Sequence, residues 1–217
     1  AAQRADGEQA ARAAEEALSL ERETDLSIGR VLSSSTTRLV AGCPALLREV
    51  PNFGALVKVQ VPNGTEVYGL IYDVAYQDDL LVRQLIGAEA ISEVVLRDQR
   101  ENRQIPIEVG VLVVGYRRDG VVYQVLPPQP PPALNEVWLC GDEEILAFSR
   151  SFDYFRTVLA SGDLPADELL AASLRQASRC REGEGATRAY LVQAGRELVG
   201  LLNDDLACLE GILRRIR

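Results

Sequence analysis

Hydrophobic and polar residues alternate with a period of two in the first half of the chain. Val57, Val59 and Val61 alternate with Lys58 and Gln60, a pattern typical of a half-buried strand. Residues 62–64 (Pro-Asn-Gly) follow directly and predict a hairpin turn. The strand after this turn is predicted to carry apolar and aromatic side chains on one face: Tyr68, Leu70, Tyr72, Val74 and Tyr76.

Further strand and turn signals continue to residue 126. Residues 107–116 form a nearly continuous apolar run, residues 118–120 (Arg-Asp-Gly) predict a second hairpin, and residues 121–126 supply another strand. Several strands joined by tight turns predict a small closed barrel or a sandwich over residues 27–126. Residues 87–104 are charged and compatible with a helix, so we expect a helical insertion near there.

A proline-rich segment separates this region from the rest of the chain. Residues 127–133 read PPQPPPA and predict a stiff polyproline II linker, with use as a ligand for an SH3-type domain as the alternative. The linker interpretation predicts that the barrel and the region after it are separable. Residues 134–217 are predicted to form a C-terminal helical domain, in which one more short strand at residues 136–140 comes before the helices.

Apolar residues recur at helical spacing throughout this C-terminal region. One stripe predicts a first helix that ends near residues 161–163: Ile145, Phe148, Phe152, Phe155 and Leu159. A second helix begins after Pro165 and carries Leu170, Leu174 and Ala177. The last and longest helix is predicted over residues 186–217.

The last predicted helix carries an apolar seam with heptad spacing. Its members are Leu202, Leu206, Leu209, Leu213 and Ile216. Packing against the two preceding helices is one interpretation of this seam. The other is an interface for a protein partner or for a second copy of the chain, and these five residues are the candidate interface.

Composition excludes several classes of chemistry. The chain of 217 residues contains no histidine, which removes histidine-based triads, dyads and metal sites. All but one of its 23 Lys plus Arg residues are arginine, so Lys58 is the single lysine and no phosphate-binding loop with the sequence GxxxxGK[ST] occurs. The four cysteines lack the close spacing of zinc or redox motifs and predict reduced, mostly buried thiols. We therefore expect that the protein is not an enzyme and that it binds no cofactor.

The net charge of the chain limits the classes of partner that it is expected to bind. A net charge of −9 argues against direct binding to nucleic acid or to an anionic membrane surface. No apolar run long enough to span a membrane occurs, and with reduced thiols this predicts a cytoplasmic protein without membrane insertion. Residues 1–26 are acidic and rich in Ala, Glu and Arg, and predict either a solvated helix or a disordered tail.

Three weaker chemical signals favour structural interpretations. Acidic clusters at residues 78–79, 142–144 and 204–205 are expected to lie on the surface or at helix starts rather than to converge on a metal. The hydroxyl-rich run at residues 33–37 predicts a polar β segment. The tyrosine face formed by Tyr68, Tyr72 and Tyr76 could stack on nucleobases, but no cationic groove accompanies it, so barrel core or a protein interface is favoured.

The strand sequences resemble the HAS-barrel, the domain shared by HerA-type ATPases and ATP-synthase subunits. Residues 28–36 (IGRVLSSST) are similar to its opening strand, and residues 67–71, 106–109 and 113–116 to its later strands. Residues 126–128, 131–132 and 137–139 resemble the segment that leaves the barrel. The likeness spans residues 27–146.

The resemblance implies a fold and a function without the family's catalytic machinery. It implies an α+β protein with a small N-terminal closed β-barrel, followed here by a C-terminal helical domain where the family carries a RecA-like ATPase motor. Because the Walker A loop is absent, no catalytic residue carries over. The expected function is a non-catalytic subunit for protein–protein interaction or assembly, with a protein partner, a larger complex or a homo-oligomer. The alternative is an accessory factor of a HerA-like ATPase–nuclease complex that processes DNA.

Overall fold

The computed structural model of the chain describes residues 26–43, 50–76 and 107–216. The predicted insertion at 87–104 and all but the last residue of the predicted region 1–26 lie outside these ranges. The described residues form seven strands: β1 (Ser27–Ser34), β2 (Arg38–Cys43), β3 (Leu56–Gln60), β4 (Glu66–Tyr76), β5 (Ile107–Arg118), β6 (Val121–Tyr123) and β7 (Glu136–Leu139).

Six of these strands close into an antiparallel barrel. They follow the order β2-β1-β7-β3-β4-β5, and pairing of β5 with β2 closes the circuit. Strand β6 extends β5 as a short hairpin outside the circuit. Closure pairs both edges of each barrel strand, which leaves few free edges. The predicted α+β fold with a small closed β-barrel is confirmed at this level.

The barrel buries apolar side chains on both faces of β3, β4 and β5. Alternate residues such as Val57, Ile71 and Val111 fill the interior. Their neighbours point outward, where Tyr68 and Leu70 join a second cluster formed with the helices. Burial on both faces is the physical reason why residues 107–116 are almost continuously apolar instead of alternating.

Five helices follow the barrel in the described part of the chain: α1 (Asp142–Phe148), α2 (Tyr154–Leu159), α3 (Ala166–Arg179), α4 (Glu184–Leu201) and α5 (Leu206–Arg215). Helix α3 corresponds to the predicted second helix. The predicted first helix is instead two short helices, α1 and α2. The predicted last helix is also divided in two, at residues 202–205.

The break between α1 and α2 is stabilised by a contact from the barrel. The side-chain amide of Gln124 donates to the carbonyl oxygens of Phe148 and Ser151, at 2.7 and 3.0 Å, and accepts from the backbone N–H of Tyr154 at 3.1 Å. Three backbone groups that a helix end would leave unpaired are satisfied in this way. The apolar spacing continues across the break because both helices face the same core.

The break between α4 and α5 is made by a local cap. Asp205 precedes α5, and its side chain accepts a hydrogen bond from the backbone N–H of Cys208 at 3.0 Å. Aspartate is a favoured residue at this position because it satisfies a backbone donor at the helix start. The heptad seam therefore does not run along a single helix, since Leu202 ends α4 and the other four members belong to or directly follow α5.

The proline-rich segment is held against the barrel. Ser34 Oγ donates to the carbonyl oxygen of Pro131 at 2.5 Å, and the backbone of Val31 is hydrogen-bonded to Leu134 and Asn135. Strand β7 follows the segment and pairs with both β1 and β3. The region predicted as a separate helical domain thus supplies one of the six strands of the barrel.

Helix α3 packs directly on the turn that enters β3. A Cβ atom added to Gly54 would lie 2.3 Å from the Cβ of Ala172, and Gly54 has a positive φ of 81°, so only glycine fits at this contact. Next to it, the backbone N–H of Leu56 donates to Oε1 of Gln176 at 3.0 Å. The barrel and the helices therefore share one hydrophobic cluster and one set of hydrogen bonds.

Two ion pairs also connect the barrel to the helical region. Lys58 Nζ lies 2.9 Å from Glu144 Oε1, and both side chains are about 15% exposed or less. Arg38 on β2 forms a two-point pair with Asp163 in the loop before α3, with one contact of 2.7 Å. Hydrogen bonding from the Arg38 guanidinium lowers the pKa of the Asp163 carboxyl below its ordinary value.

Candidate protein interface

A groove of about 620 Å³ runs between helices α4 and α5 on the outside of the helical region. Most of its lining is apolar. It is lined by Gly183, Glu184, Thr187, Arg188, Leu191, Val192, Gly195, Leu213 and Ile216. It opens to solvent, and its dimensions suit an apolar side chain or a helix edge from another protein.

The five residues predicted as an interface separate into three groups. Leu202 and Leu209 are buried in the cluster shared with the barrel, so they stabilise the fold. Leu213 and Ile216 contact that cluster and also line the groove. Leu206 is 66% exposed at the first position of α5. The structure brings two members of the predicted set to the groove and leaves a third exposed beside the turn after α4.

Helix α4 contributes the residues that the seam prediction missed. Its buried stripe consists of Tyr190, Ala194 and Leu198. A second stripe, on the adjacent face, contains Val192 and Val199, which are 47% and 52% exposed. The spacing 188, 192, 195 and 199 follows the helical period and is visible in the sequence as Arg, Val, Gly and Val. We call Arg188, Val192, Gly195 and Val199 the α4 stripe.

The wall of the groove formed by α5 is fixed by contacts with α3. Arg215 Nε donates to Glu168 Oε1 at 2.6 Å, and its Nη1 lies 3.4 Å from Asp167 Oδ2. In return, Nη1 of Arg175 donates to the carbonyl oxygen of Arg215 at 2.7 Å, near the end of α5. Arg215 therefore anchors the helix and is unavailable as a free cation for a partner.

Aromatic contacts hold the buried face of helix α4. The guanidinium carbon of Arg181 lies 3.5 Å from the centre of the Tyr190 ring, a stacked cation–π contact, and the ring of Phe152 lies 5.5 Å from the same ring. Burial raises the pKa of the Tyr190 hydroxyl above its ordinary value. The buried face of α4 is thus occupied, and the α4 stripe is the face left to solvent.

Of the other candidate sites from the sequence, the acidic pair at residues 78–79 lies outside the described residues, and Tyr76 is 65% exposed at the end of β4. Tyr68 is buried beneath the helices, with its ring 5.5 Å from that of Phe148, so it offers no stacking surface to a nucleobase. Asp142, Glu143 and Glu144 lie in the first turn of α1 as expected for acids at a helix start. In the part of the chain that the structure describes, no three Cys, Asp or Glu residues are placed to hold a metal ion.

The thiols of Cys43, Cys180 and Cys208 have raised pKa values. Burial raises the pKa of the Cys43 thiol to about 11, and burial together with a hydrogen bond to Asp142 raises that of Cys180 to about 11. The pKa of Cys208 is raised in the same direction, chiefly by burial. A thiol attacks as the thiolate, so these shifts disfavour nucleophilic chemistry at neutral pH.

A second exposed apolar surface lies on the β5–β6 hairpin and the residues after it. Val121, Tyr123, Val125 and Leu126 are exposed, and the rings of Tyr116 and Tyr123 stack at 5.1 Å. The α4–α5 groove, by contrast, is a cavity lined by two helices. The groove is therefore the stronger candidate for a specific contact.

Comparison with known proteins leaves the barrel's family open. No protein-family model matches the chain, and no curated protein is significantly similar to it. Among the described residues, no helix combines the length and the apolar character needed to cross a membrane.

Proposed function

We propose that this protein is a non-catalytic assembly subunit built on a barrel of the HAS type, and that it binds other protein through the α4–α5 groove. The observation that carries the proposal is the pair of exposed valines on the α4 stripe, Val192 and Val199, beside an apolar groove. Exposed patches of this kind on a folded protein mark interaction sites, because their burial by a partner removes apolar surface from water.

The way in which the barrel is covered supports a role in assembly. Its β3–β4–β5 outer face is occupied by the chain's own helices, which contribute Phe148, Phe155 and Leu170 to the shared cluster. In the resemblance to HerA-type proteins, the position after the barrel belongs to a motor domain. Here that position holds a helical layer which presents the groove on its far side.

The arrangement of charged groups also favours binding over catalysis. Lys58 of β3 contacts Glu144 of α1, and Arg117 of β5 contacts Glu66 of β4 through Nε at 2.5 Å. Such interlocked pairs stabilise one relative placement of two elements. A catalytic base or nucleophile needs access to a substrate, and these groups are committed to contacts inside the protein.

The experiment that tests this proposal measures the size of the native complex in extract of the source cells. We expect the wild-type protein to migrate in an assembly larger than 23.7 kDa, the mass of the chain. Val192→Arg, on the α4 stripe, should abolish that assembly. Val125→Arg is the matched control, because Val125 is 56% exposed but lies on the hairpin surface.

Two results would overturn the proposal. One is a wild-type protein that migrates as a single chain in extract. The other is an assembly that survives Val192→Arg, which would place the interface elsewhere. If a HerA-like ATPase is a component of the groove-dependent assembly, the narrower role of accessory factor follows.

A further inference from the structure

Two turns of the barrel region carry an amide or carboxyl side chain directly before a glycine. Asn63-Gly64 lies between β3 and β4, and Asp119-Gly120 lies between β5 and β6. In such a pair the backbone nitrogen of the glycine can attack Cγ of the residue before it, because glycine has no side chain to obstruct the approach. The product is a five-membered succinimide ring, and the local structure of each turn decides how readily it forms.

The turn at Asn63 is held against this attack by two hydrogen bonds. Asn63 Oδ1 accepts from the backbone N–H of Thr65 at 3.0 Å. The N–H of Gly64, which belongs to the attacking nitrogen, donates to the carbonyl oxygen of Val61 at 3.0 Å. The residues on either side, Val61 and Thr65, are buried. The nitrogen of Gly64 and the side chain of Asn63 are therefore both committed to other contacts.

The turn at Asp119 has none of these restraints. Residues 118–121 are all exposed. Within the described residues, neither the Asp119 side chain nor the N–H of Gly120 has a hydrogen-bond partner. A Cβ atom added to Gly120 would meet nothing within 4 Å, so the space around the attacking nitrogen is open. Asp119 also has a positive φ of 51°, a conformation that is unfavourable for a residue with a side chain.

The strands beside the two turns differ in the same direction. Strand β6 has three residues and pairs only with β5 among the described strands. Strand β3, by contrast, pairs with β4 on one side and with β7 on the other. Exposed backbone hydrogen bonds in a short edge strand open at low free energy. The β5–β6 turn can therefore reach the geometry of attack without disturbing the barrel.

We propose that Asp119 is a site of spontaneous isoaspartate formation, and that the folded structure directs the reaction to Asp119 rather than to Asn63. The nitrogen of Gly120 forms a bond to Cγ of Asp119, and the amide proton leaves with the carboxyl OH as water. Water then opens the ring. Opening at Cγ restores aspartate, whereas opening at the main-chain carbonyl leaves the chain running through Cβ and Cγ. The net reaction is an isomerisation that needs only solvent.

The modification would change one defined part of the surface. Isoaspartate lengthens the main chain by one carbon atom inside the tight turn that pairs Arg118 with Val121. The stacked rings of Tyr116 and Tyr123 belong to the same pairing. We therefore expect the reaction to detach β6 and to reshape the exposed apolar surface of this hairpin. The barrel circuit does not include β6, and the α4–α5 groove is formed by other elements, so this inference is independent of the proposed function.

The Asp119→Asn variant of the full chain separates structure from sequence, because both turns then contain Asn-Gly. Peptide mapping by mass spectrometry during incubation at neutral pH measures the deamidation rate at each position. Position 119 should convert at least about tenfold faster than Asn63, since Asn63 must first lose two hydrogen bonds. In concentrated urea, where neither turn is formed, the two positions should convert at similar rates.

The wild-type chain tests the modification itself. Isoaspartate should accumulate at position 119 and be detected as resistance of that bond to an endoproteinase that cleaves before aspartate. Asp119→Ser is the matched control, because it lacks the carboxyl group and should give no such product. Circular dichroism should show that both variants remain folded.

Three results would overturn the proposal. One is a folded Asp119→Asn variant in which Asn63 converts as fast as position 119. Another is a rate difference that persists in urea, which would assign it to the neighbouring sequence instead of the turns. The third is a wild-type chain that forms no isoaspartate at position 119 over the time in which Asn63 deamidates.

Discussion

The side-chain carbonyl of Gln124 accepts a hydrogen bond from the backbone N–H of Tyr154, and through this bond the segment after strand β6 holds the start of helix α2. The same amide donates to the carbonyls of Phe148 and Ser151, and Gln124 is buried. One side chain of the barrel region therefore shapes the connection between two helices. We therefore expect the barrel and the helices to fold as interdependent parts.

Replacing Gln124 with leucine should destabilise the whole protein by about 2–4 kcal/mol, because three backbone groups lose their partner and two of these hydrogen bonds are buried. Urea unfolding followed by circular dichroism measures the change. Gln129→Leu is the control, since Gln129 is exposed in the proline-rich segment. Equal stability of the two variants would contradict a structural role for Gln124.

A fragment that ends at Leu126 should fail to fold cooperatively. It lacks strand β7, which pairs with β1 and β3, so the barrel would be open at two edges. It also lacks the helices that cover Tyr68 and Leu70. Thermal melting of the fragment measures this. A sharp transition with a β-type spectrum would show instead that residues 27–126 form an autonomous domain.

Lys58 should contribute to stability and not to nucleotide hydrolysis. Lys58→Met leaves the largely buried Glu144 without its close cation and should cost about 1–3 kcal/mol, with no nucleotide turnover in either protein. Arg214→Met removes a cation from an exposed pair with Glu210 and should cost no more than about 0.5 kcal/mol. Nucleotide turnover by the wild type that disappears in Lys58→Met would contradict the non-catalytic proposal.

Alkaline pH should weaken the protein through its buried thiols. The pKa of Cys43 is raised from 9.0 to about 11 by burial, so the folded state retains a proton that the unfolded chain releases. The stabilisation is present in full below pH 9 and is lost as the pH rises to about 11. Unfolding free energies measured across this range should fall more steeply for the wild type than for Cys43→Ala. Parallel slopes would show that the Cys43 thiol does not titrate as described.

Sequence patterns predicted the barrel well where each signal was local. The turn at residues 62–64 separates β3 from β4 as expected, and alternation at Val57 and Val59 identified the inward face of β3. The outward residues Tyr68 and Leu70 were placed correctly on one face. Their burial beneath helices could not be predicted, because periodicity gives the side of a strand and not what covers it.

The helix boundaries were less predictable because two different causes set them. The break before Tyr154 depends on Gln124, a residue thirty positions earlier in the chain, and no local pattern records that contact. The break before Leu206 does have a local signal, since Asp205 is a favoured capping residue. The regular spacing of leucines concealed it, and the seam was assigned to one helix.

The candidate interface was predicted only in part, because the seam was assigned to a single helix. Leu213 and Ile216 reach the groove, whereas Leu209 faces the shared core, because the second helix starts with its own rotation after the turn. The α4 stripe was missed since α4 carries two apolar faces, and only one of them is needed for folding. An excess of apolar residues over what the fold can bury is the signal that could have revealed it.

Photo-crosslinking in living cells tests most directly whether the α4 stripe is an interface. Benzoylphenylalanine placed at Val199 should give a covalent adduct of defined mass, larger than the 23.7 kDa of the chain. The same residue placed at Gln129, which is exposed on the proline-rich segment, should give no such adduct. Absence of any adduct at Val199 in a folded, expressed protein would contradict the claim that this surface is bound in the cell.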